Sequence, residues 1–429
     1  MKPARERLLG IHRAALAAVD PEAATRRAAA DLPADAPLWV LAAGKAAATM
    51  ARGLESACGA RIAEGRAIIK DGHGRPLGHL PVSEAGHPVP DQRSARAGLA
   101  ALELAGRCPP EAVFVVLLSG GASALLTLPQ GGLTLRDLAE TTRVLLETGA
   151  EIDVLNAVRK HLTLVSGGRL ARAAEGAREI WLLAISDVPD DDLATLASGP
   201  CSADPTTFAE ARAGALACGA WPRLPESVRA HLDAGCAGGR EESLDPGAPV
   251  LARVQTRVLA SNATALAAAR VAGSAAGMRP LVLADELRGE AREVGRRIVG
   301  LANARAPGRS ALILAGGETT VRVRGKGRGG RCQELALASA LAWQASPPVG
   351  APLLLAVGTD GTDGPTDAAG AFADPQTVAR GRRAGRDAAA DLADNDAYGF
   401  FEAEGGLLRT GPTGTNVRDL LLLDLGAGS

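Results

Sequence analysis

The sequence predicts an α/β protein with largely parallel sheets, divided into two domains. Three observations carry that expectation. Short apolar runs of strand length recur along the 429 residues, and each leads into a small polar turn, usually glycine-bearing, that opens a helix. That unit is the mark of βα crossovers and parallel sheets. Hydrophobic residues make up 47% and charged residues 22%, enough apolar side chain for a sizeable core in each of two or three domains. Finally, CAGGREESLDPGAPV (236–250) is polar and rich in Gly and Pro, which reads as a linker and sets domain spans of 1–235 and 251–429. Aromatics are only 2%, so the cores must be built from Ala, Leu and Val.

Bulk properties also exclude several classes. A net charge of -1 gives no electrostatic case for nucleic acid or an anionic membrane surface. No run of eighteen apolar residues occurs, and MKPARERLLGIHRAALAAV lacks a signal-peptide core, so a cytoplasmic protein is expected. Six scattered cysteines without a C-x-x-C pair indicate reduced thiols rather than a disulfide framework or zinc knuckle.

Taken in order, residues 5–30 carry helical spacing. LWVLAA (38–43) is a strand that runs into Gly44-Lys45 and the helix former AAATMARGLES. A cation near a helix N-terminus is disfavoured by the dipole unless an anion binds there, which singles out Lys45 among only five lysines. After strand 67–70 comes a loop holding His73, His79 and His87 at irregular spacing, read as a structured substrate-side loop in preference to a zinc site. A helix (93–106) precedes the strand AVFVVLL (112–118), which ends in Ser119-Gly120-Gly121-Ala122-Ser123. Its glycines permit close ligand approach, and its hydroxyls and free amides can donate to a carboxylate or phosphate. Residues 134–148 form an amphipathic helix. The basic segment 156–173, with Arg159, Lys160 and His161, reads as a solvated face. IWLLAI (180–185) delivers Asp187 as a metal or substrate candidate, and the next strand (257–260) opens a helix at Ser261-Asn262, with Asn262 as N-cap. Strand 280–284 and helix 286–303 follow.

Polar chemistry is densest from Ala311 to Asp367. Strands 311–315 and 353–357 run into Gly316-Gly317-Glu318-Thr319-Thr320 and Gly358-Thr359-Asp360-Gly361-Thr362-Asp363-Gly364. Between them a basic glycine loop, 324–331, opens a helix carrying Gln333 and Glu334. The end of the chain repeats the theme with Thr413, Thr415 and Asn416 before the strand LLLLDL. Amides, cations and carboxylates at the carboxyl ends of strands read as a phosphoryl-transfer site.

With those motifs in place, the chain resembles the glycerate 2-kinases whose C-terminal module is called MOFRL. The resemblance rests on AAGKAA (42–47), EAGHPVPD (84–91), LLSGGASALL (117–126), AISDVPDDD (184–192), LAGGETTVRVRGKGRGGRCQELAL (314–337), VGTDGTDGPTDAAGAF (357–372) and GPTGTNVRDL (411–420), and it covers nearly the whole length. It implies an N-terminal Rossmann-like parallel sheet flanked by helices, a smaller C-terminal α/β domain with the MOFRL module at about 310–420, and a cleft between them. It also implies ATP- and Mg²⁺-dependent phosphorylation of D-glycerate at the 2-hydroxyl, with Lys45, Arg331 and an aspartate of GTDGTDG as catalytic residues. Cys332 stands where the family's GGRNQE has asparagine. Some members circulate as hydroxypyruvate reductases.

The chemistry fits the resemblance. Phosphoryl transfer needs cations on the transferred group, an in-line hydroxyl and usually Mg²⁺. Lys45 and Arg331 supply the cations. Asp360 or Asp363 is the expected base or metal ligand, and Glu318 and Asp187 are further metal candidates. Phosphates or the substrate carboxylate would rest on SGGAS (119–123) and GKGRGG (325–330), supported by Ser119, Gly120, Gly121, Ser123, Asp187, Ser261, Asn262, Gly316, Gly317, Glu318, Thr319, Gln333, Glu334, Thr413, Thr415 and Asn416. The chain lacks G-x-x-x-x-G-K-[ST], and GKGRGG matches a dinucleotide fingerprint only loosely. An NAD(P)H-dependent hydroxypyruvate reductase and a non-catalytic sugar-acid or nucleotide binder are the alternatives. The expected partners are D-glycerate and ATP, with a homodimer allowed.

Overall fold

A computed structural model describes residues 2–283, 287–304 and 311–426. The chain divides into two compact units: Pro21–Leu259, and Met1–Asp20 together with Ala260–Ser429.

The first unit holds six strands: β1 (Leu38–Ala43), β2 (Ile62–Lys70), β3 (Val82–Ala85), β4 (Val113–Leu118), β5 (Glu179–Ile185) and β6 (Val254–Ala260). They lie in the order β3-β2-β1-β4-β5-β6, the Rossmann arrangement the resemblance implied. β1 pairs in parallel with β2 and β4, and β2 with β3 and β4 with β5 do the same. Every residue of VFVVLL in β4 is buried, as a strand covered on both faces requires. Its core joins Leu41, Phe114, Val116 and Leu182 to many alanines, among them Ala97, Ala101 and Ala105 of helix Gln92–Gly106. That helix starts where Asp91 accepts the amides of Arg93 and Ser94 while Ser94 Oγ accepts the Asp91 N–H. Strand order reverses between β1 and β4, so their carboxyl-end turns flank the switch point where such sheets bind ligands.

A satellite core unites helices Leu135–Glu147, Ile152–Lys160, Phe208–Ala217 and Glu226–Cys236 around Leu145, Val158, Phe208 and Leu232. Helix Phe208–Ala217 lacks a readable apolar stripe because alanine and glycine blur its faces.

Two boundaries move. The 236–250 segment is not a linker: Leu244 is buried, its N–H donates to Gly167 O (2.9 Å), and its carbonyl accepts from Asp204 N (2.7 Å). Glu242 accepts from the Phe208 amide and bonds the His161 ring. Composition there signals irregular backbone, but that backbone is tied down, and the division falls after β6 instead. Helix Lys2–Ala18 also leaves the first domain for the second unit. Arg7 pairs with Asp424 (2.8 Å), and Thr415 Oγ1 donates to Val19 O (3.0 Å).

The second unit holds β7 (Arg279–Val282), β8 (Ala311–Gly317), β9 (Leu353–Gly358), β10 (Gly370–Ala373), β11 (Leu407–Leu408) and β12 (Asp419–Asp424), in the order β11-β10-β9-β12-β8-β7. Only the β7–β8 pairing is parallel among those described; β12 runs antiparallel to both β8 and β9. This sheet is therefore mixed, not largely parallel, because the C-terminal strand inserts antiparallel between β8 and β9. The insertion sets the site: Asp419 lies in register with Gly317, the last residue of β8, and with Gly358, the last residue of β9. The expected strand end at Ala284 and helix start at Glu286 lie outside the described residues; the helix observed is Ala291–Asn303. Among the described residues no helix is long and apolar enough to cross a membrane.

Candidate functional site

In the first unit the turns after β1 and β4 interlock. Lys45 N–H donates to Gly120 O (2.9 Å), Ala46 N–H to Ser119 Oγ (3.0 Å) and Ser119 N–H to Ala43 O (3.0 Å). Gly44, at φ +124°, lies so close that a Cβ would strike Ser119. Ser119 is buried and holds the turn in shape through the Ala46 amide. The two glycines beyond it form a floor. A Cβ on Gly120 would collide with Asp187 Oδ2, and one on Gly121 would meet the His87 ring and the stem of Lys45. Lys45, Gly120, Gly121 and Asp187 are thus brought together as expected.

His87 joins them from the loop that the sequence reads as structured and substrate-side. Burial first, then the charge of Lys45, pushes its pKa down to about 4, so its ring is neutral near pH 7. Ser123 Oγ lies 3.2 Å from Ser198 Oγ, and both residues line a cavity of about 370 Å³. Arg159 lines the same cavity. Its segment is no solvated face: Lys160 is buried against Asp204 (3.2 Å), and His161 is fully buried on Ala157 O and Glu242.

In the second unit the centre is Arg331, the first residue of helix Arg331–Ala345. Its Nε and Nη2 meet the two oxygens of buried Asp419 at 2.5 and 2.9 Å, and its Nη1 meets exposed Glu318 at 2.5 Å. Burial opposes the Arg331 charge, but Asp419 outweighs it and holds the pKa above the ordinary value. Burial pushes Asp419 up to about 7 against the pull of Arg331. Asp419 is a site residue that sequence reasoning misses; its only signal is an acid immediately ahead of a fully apolar strand. A Cβ on Gly358 would lie 3.5 Å from both Asp360 Oδ1 and Asp419 Oδ1, which places Asp360 beside this cluster. Asp360 Oδ1 also accepts from the Thr362 amide and hydroxyl, both at 3.0 Å.

Asp363 has a different place. It is buried and accepts the first helical amides, from Cys332 (3.1 Å) and Gln333 (2.8 Å), so it anchors the helix that carries Arg331. Burial raises its pKa, and raises that of the Cys332 thiol well above the ordinary range. Gln333 is fully buried and donates to Asp363 O and Thr366 Oγ1, while Glu334 accepts from Arg292 (2.9 Å) and Asn395 (2.5 Å). Both are held inside the fold. Ser261, not Asn262, is the N-cap; Asn262 donates to Val417 O (2.8 Å) and Asp419 O (3.0 Å) and underlies Gly316. Thr413 ties to Thr359 O and Thr415 to Val19 O, while Asn416 accepts from the Arg418 amide. Gly317 ends β8, and Thr319 is buried.

The basic glycine loop is not an open cradle. The amides of Arg324 and Gly325 donate to Asn395 Oδ1, those of Lys326 and Gly327 to Asp394, and that of Arg328 to Asp396. The sequence shows the donors but cannot show that these acceptors, some seventy residues later, already take them.

Among the described residues no three His, Cys, Asp or Glu converge as a metal cage. A hard cation such as Mg²⁺ needs only one or two protein carboxylates when substrate phosphates supply the rest. Asp187 over Gly120 and Asp360 beside Asp419 are the carboxylates so placed.

Comparison with known proteins identifies the family. The family described as Domain of unknown function (DUF4147) matches residues 7–233, and the MOFRL family matches residues 311–419. A Pyrococcus horikoshii protein named glycerate 2-kinase is 39% identical over 391 residues, covering 90% of this chain and 86% of its own length. An Agrobacterium vitis protein provisionally named hydroxypyruvate reductase is 41% identical, covering 99% of this chain and 95% of its own. The crystal structure of a Thermotoga maritima glycerate kinase superimposes with a TM-score of 0.87 at 33% identity, covering 99% of this chain and all of that one. On these matches and the shared fold, the chain belongs to the DUF4147–MOFRL family of glycerate 2-kinases.

Proposed function

We propose that this protein transfers the γ-phosphoryl group of ATP to the 2-hydroxyl of D-glycerate, giving 2-phosphoglycerate and ADP. The observation that carries the reading is the Arg331 guanidinium, gripped along one edge by Asp419 at the ends of β8 and β9. A fork fixed in that way presents a preset cation, and phosphoryl transfer is catalysed mainly by such preset charge. Nη1 is paired with exposed Glu318 (2.5 Å), the carboxylate that a ligand's phosphate would displace from this edge. Lys45, set over Gly121 by the interlocked turns, is the second cation, and Asp360 is the acceptor of the hydroxyl proton. Mg²⁺ held by the nucleotide phosphates against Asp187 or Asp360 would supply further charge neutralisation.

The same geometry speaks against the reductase name. In a Rossmann sheet the dinucleotide fingerprint belongs after β1, and that turn reads Ala43-Gly44-Lys45-Ala46, with one glycine and a cation. In the other glycine loop the amides of residues 324–328 are occupied by Asp394, Asn395 and Asp396. A cytoplasmic setting is supported by six cysteines that are all free thiols.

The test is product identification. Protein, D-glycerate, ATP and Mg²⁺ are incubated and the phosphoglycerate is resolved by ³¹P NMR. A phosphate on C2 is expected; a phosphate on C3, or none transferred, would overturn the assignment.

A further inference from the structure

The cavity beside Gly121 contains a cation for which no described residue supplies a charge partner. Arg159 closes helix Ile152–Lys160 and is half-buried. The one hydrogen bond of its side chain among the described residues runs from Nε to Thr142 Oγ1 at 3.4 Å. The neighbouring buried cations are all partnered: Lys160 pairs with Asp204, and Arg169 donates to the carbonyls of Lys160, Ser166 and Glu241. No Asp or Glu lines the cavity among the described residues; hydroxyls do, including Ser123, Thr142, Ser166 and Ser198. Burial alone lowers the Arg159 pKa, with no opposing acid. The remaining ring at the cavity wall, His87, is neutral near pH 7 and has a buried Nδ1 without a hydrogen-bond partner.

A half-buried guanidinium whose cavity offers hydroxyls and apolar side chains but no acid is left short of a counter-charge that an anion would supply. Its planar fork matches a carboxylate or a phosphate in two-point contact. We infer that this cavity is an oxyanion subsite in which Arg159 takes the anionic group of a ligand, with the cavity-lining hydroxyls of Ser123 and Ser198 as further donors. The position, next to the β1–β4 switch point, is where an α/β sheet receives its ligand. Under the kinase reading, on which the choice of ligand rests, the oxyanion comes either from the carboxylate of the hydroxy acid or from the nucleotide phosphates.

Calorimetric titration of the whole protein and of Arg159→Met tests this, using D-glycerate and a non-hydrolysable ATP analogue as separate probes. Loss of D-glycerate affinity by about 10- to 100-fold, with the analogue unaffected, assigns the subsite to the carboxylate. The converse assigns it to phosphate. Arg159→Lys, which keeps the charge but not the fork, should retain part of the affinity and guards against a misfolded Met variant. Unchanged affinity for both probes in a folded Arg159→Met protein overturns the subsite. If the wild type binds neither probe, the kinase reading fails on its own, and inorganic phosphate becomes the probe. Binding lost in Arg159→Met then sustains the cavity, and no binding overturns it.

Discussion

Arg331 and Asp419 lie 88 positions apart, yet they meet fork to fork, with Nε and Nη2 at 2.5 and 2.9 Å from the two carboxylate oxygens. The sheet enforces the meeting, since β12 places Asp419 in register with the final glycines of β8 and β9. A lysine has the charge but not the edge, so Arg331→Lys should lose about 10²- to 10³-fold in kcat. Asp419→Asn keeps the shape and releases the fork; its expected loss is about 10- to 100-fold. Steady-state kinetics on variants with unchanged circular dichroism checks both. Near-wild-type kcat in Arg331→Lys would show that the fork geometry is irrelevant.

Gly120 offers a test of the other cluster. Alanine there would collide with Asp187 Oδ2, whereas a Cβ at Gly131 meets nothing within 4 Å. Gly120→Ala should displace the carboxylate and reduce activity by about 10²-fold or more, while Gly131→Ala should behave as wild type. Equal activity of the two variants would remove Asp187 from the site.

The glycine loop makes the opposite prediction. Lys326 is exposed and its backbone amide is already bonded to Asp394, so Lys326→Ala should leave kcat and KM within about twofold, the usual range for an exposed side chain. Asn395 holds the loop through two accepted amides, donates to Glu334, and sits at φ +58°. Asn395→Ala should cost about 3 kcal/mol of stability, from lost hydrogen bonds and left-handed backbone strain. Chemical denaturation of the two variants reads this directly, and a large activity loss in Lys326→Ala with unchanged stability would restore the loop as a phosphate cradle.

His12 tests the placement of the first helix. Its ring is buried, and burial, then Arg13, pushes its pKa down to about 4, below the unfolded value near 6.5. The folded state resists the proton, so the stability this group contributes is present above about pH 6.5 and is lost as pH falls toward 4. The full loss is about 3 kcal/mol. Between pH 7.5 and pH 5, denaturation midpoints should fall more in wild type than in His12→Leu. An equal fall in both would mean that the ring is solvated and the helix docked differently.

Much of this is legible in the sequence because it is local. β1 and β4 and their turns follow from apolar runs ending in glycine, and Lys45, Gly120, Gly121 and Asp187 come together because each follows a strand of one sheet. What stays hidden depends on partners distant in sequence. Asp363 has the look of a base but anchors helical amides, and Gln333 and Glu334 read as site polars but are internal struts. Asp419 reads as the polar end of a strand until β12 inserts between β8 and β9. Arg159 reads as a solvated cation because nothing in its sequence neighbourhood reveals the cavity wall.

The most direct test of the central claim is a paired assay on wild type, Lys45→Ala and Arg331→Ala. One arm contains D-glycerate, ATP and Mg²⁺ with detection of ADP and phosphoglycerate; the other contains hydroxypyruvate and NADH or NADPH. Phosphoryl transfer by the wild type, reduced at least about 10³-fold in each variant, with no nicotinamide oxidation, is the predicted result. Nicotinamide oxidation without phosphoryl transfer would contradict it.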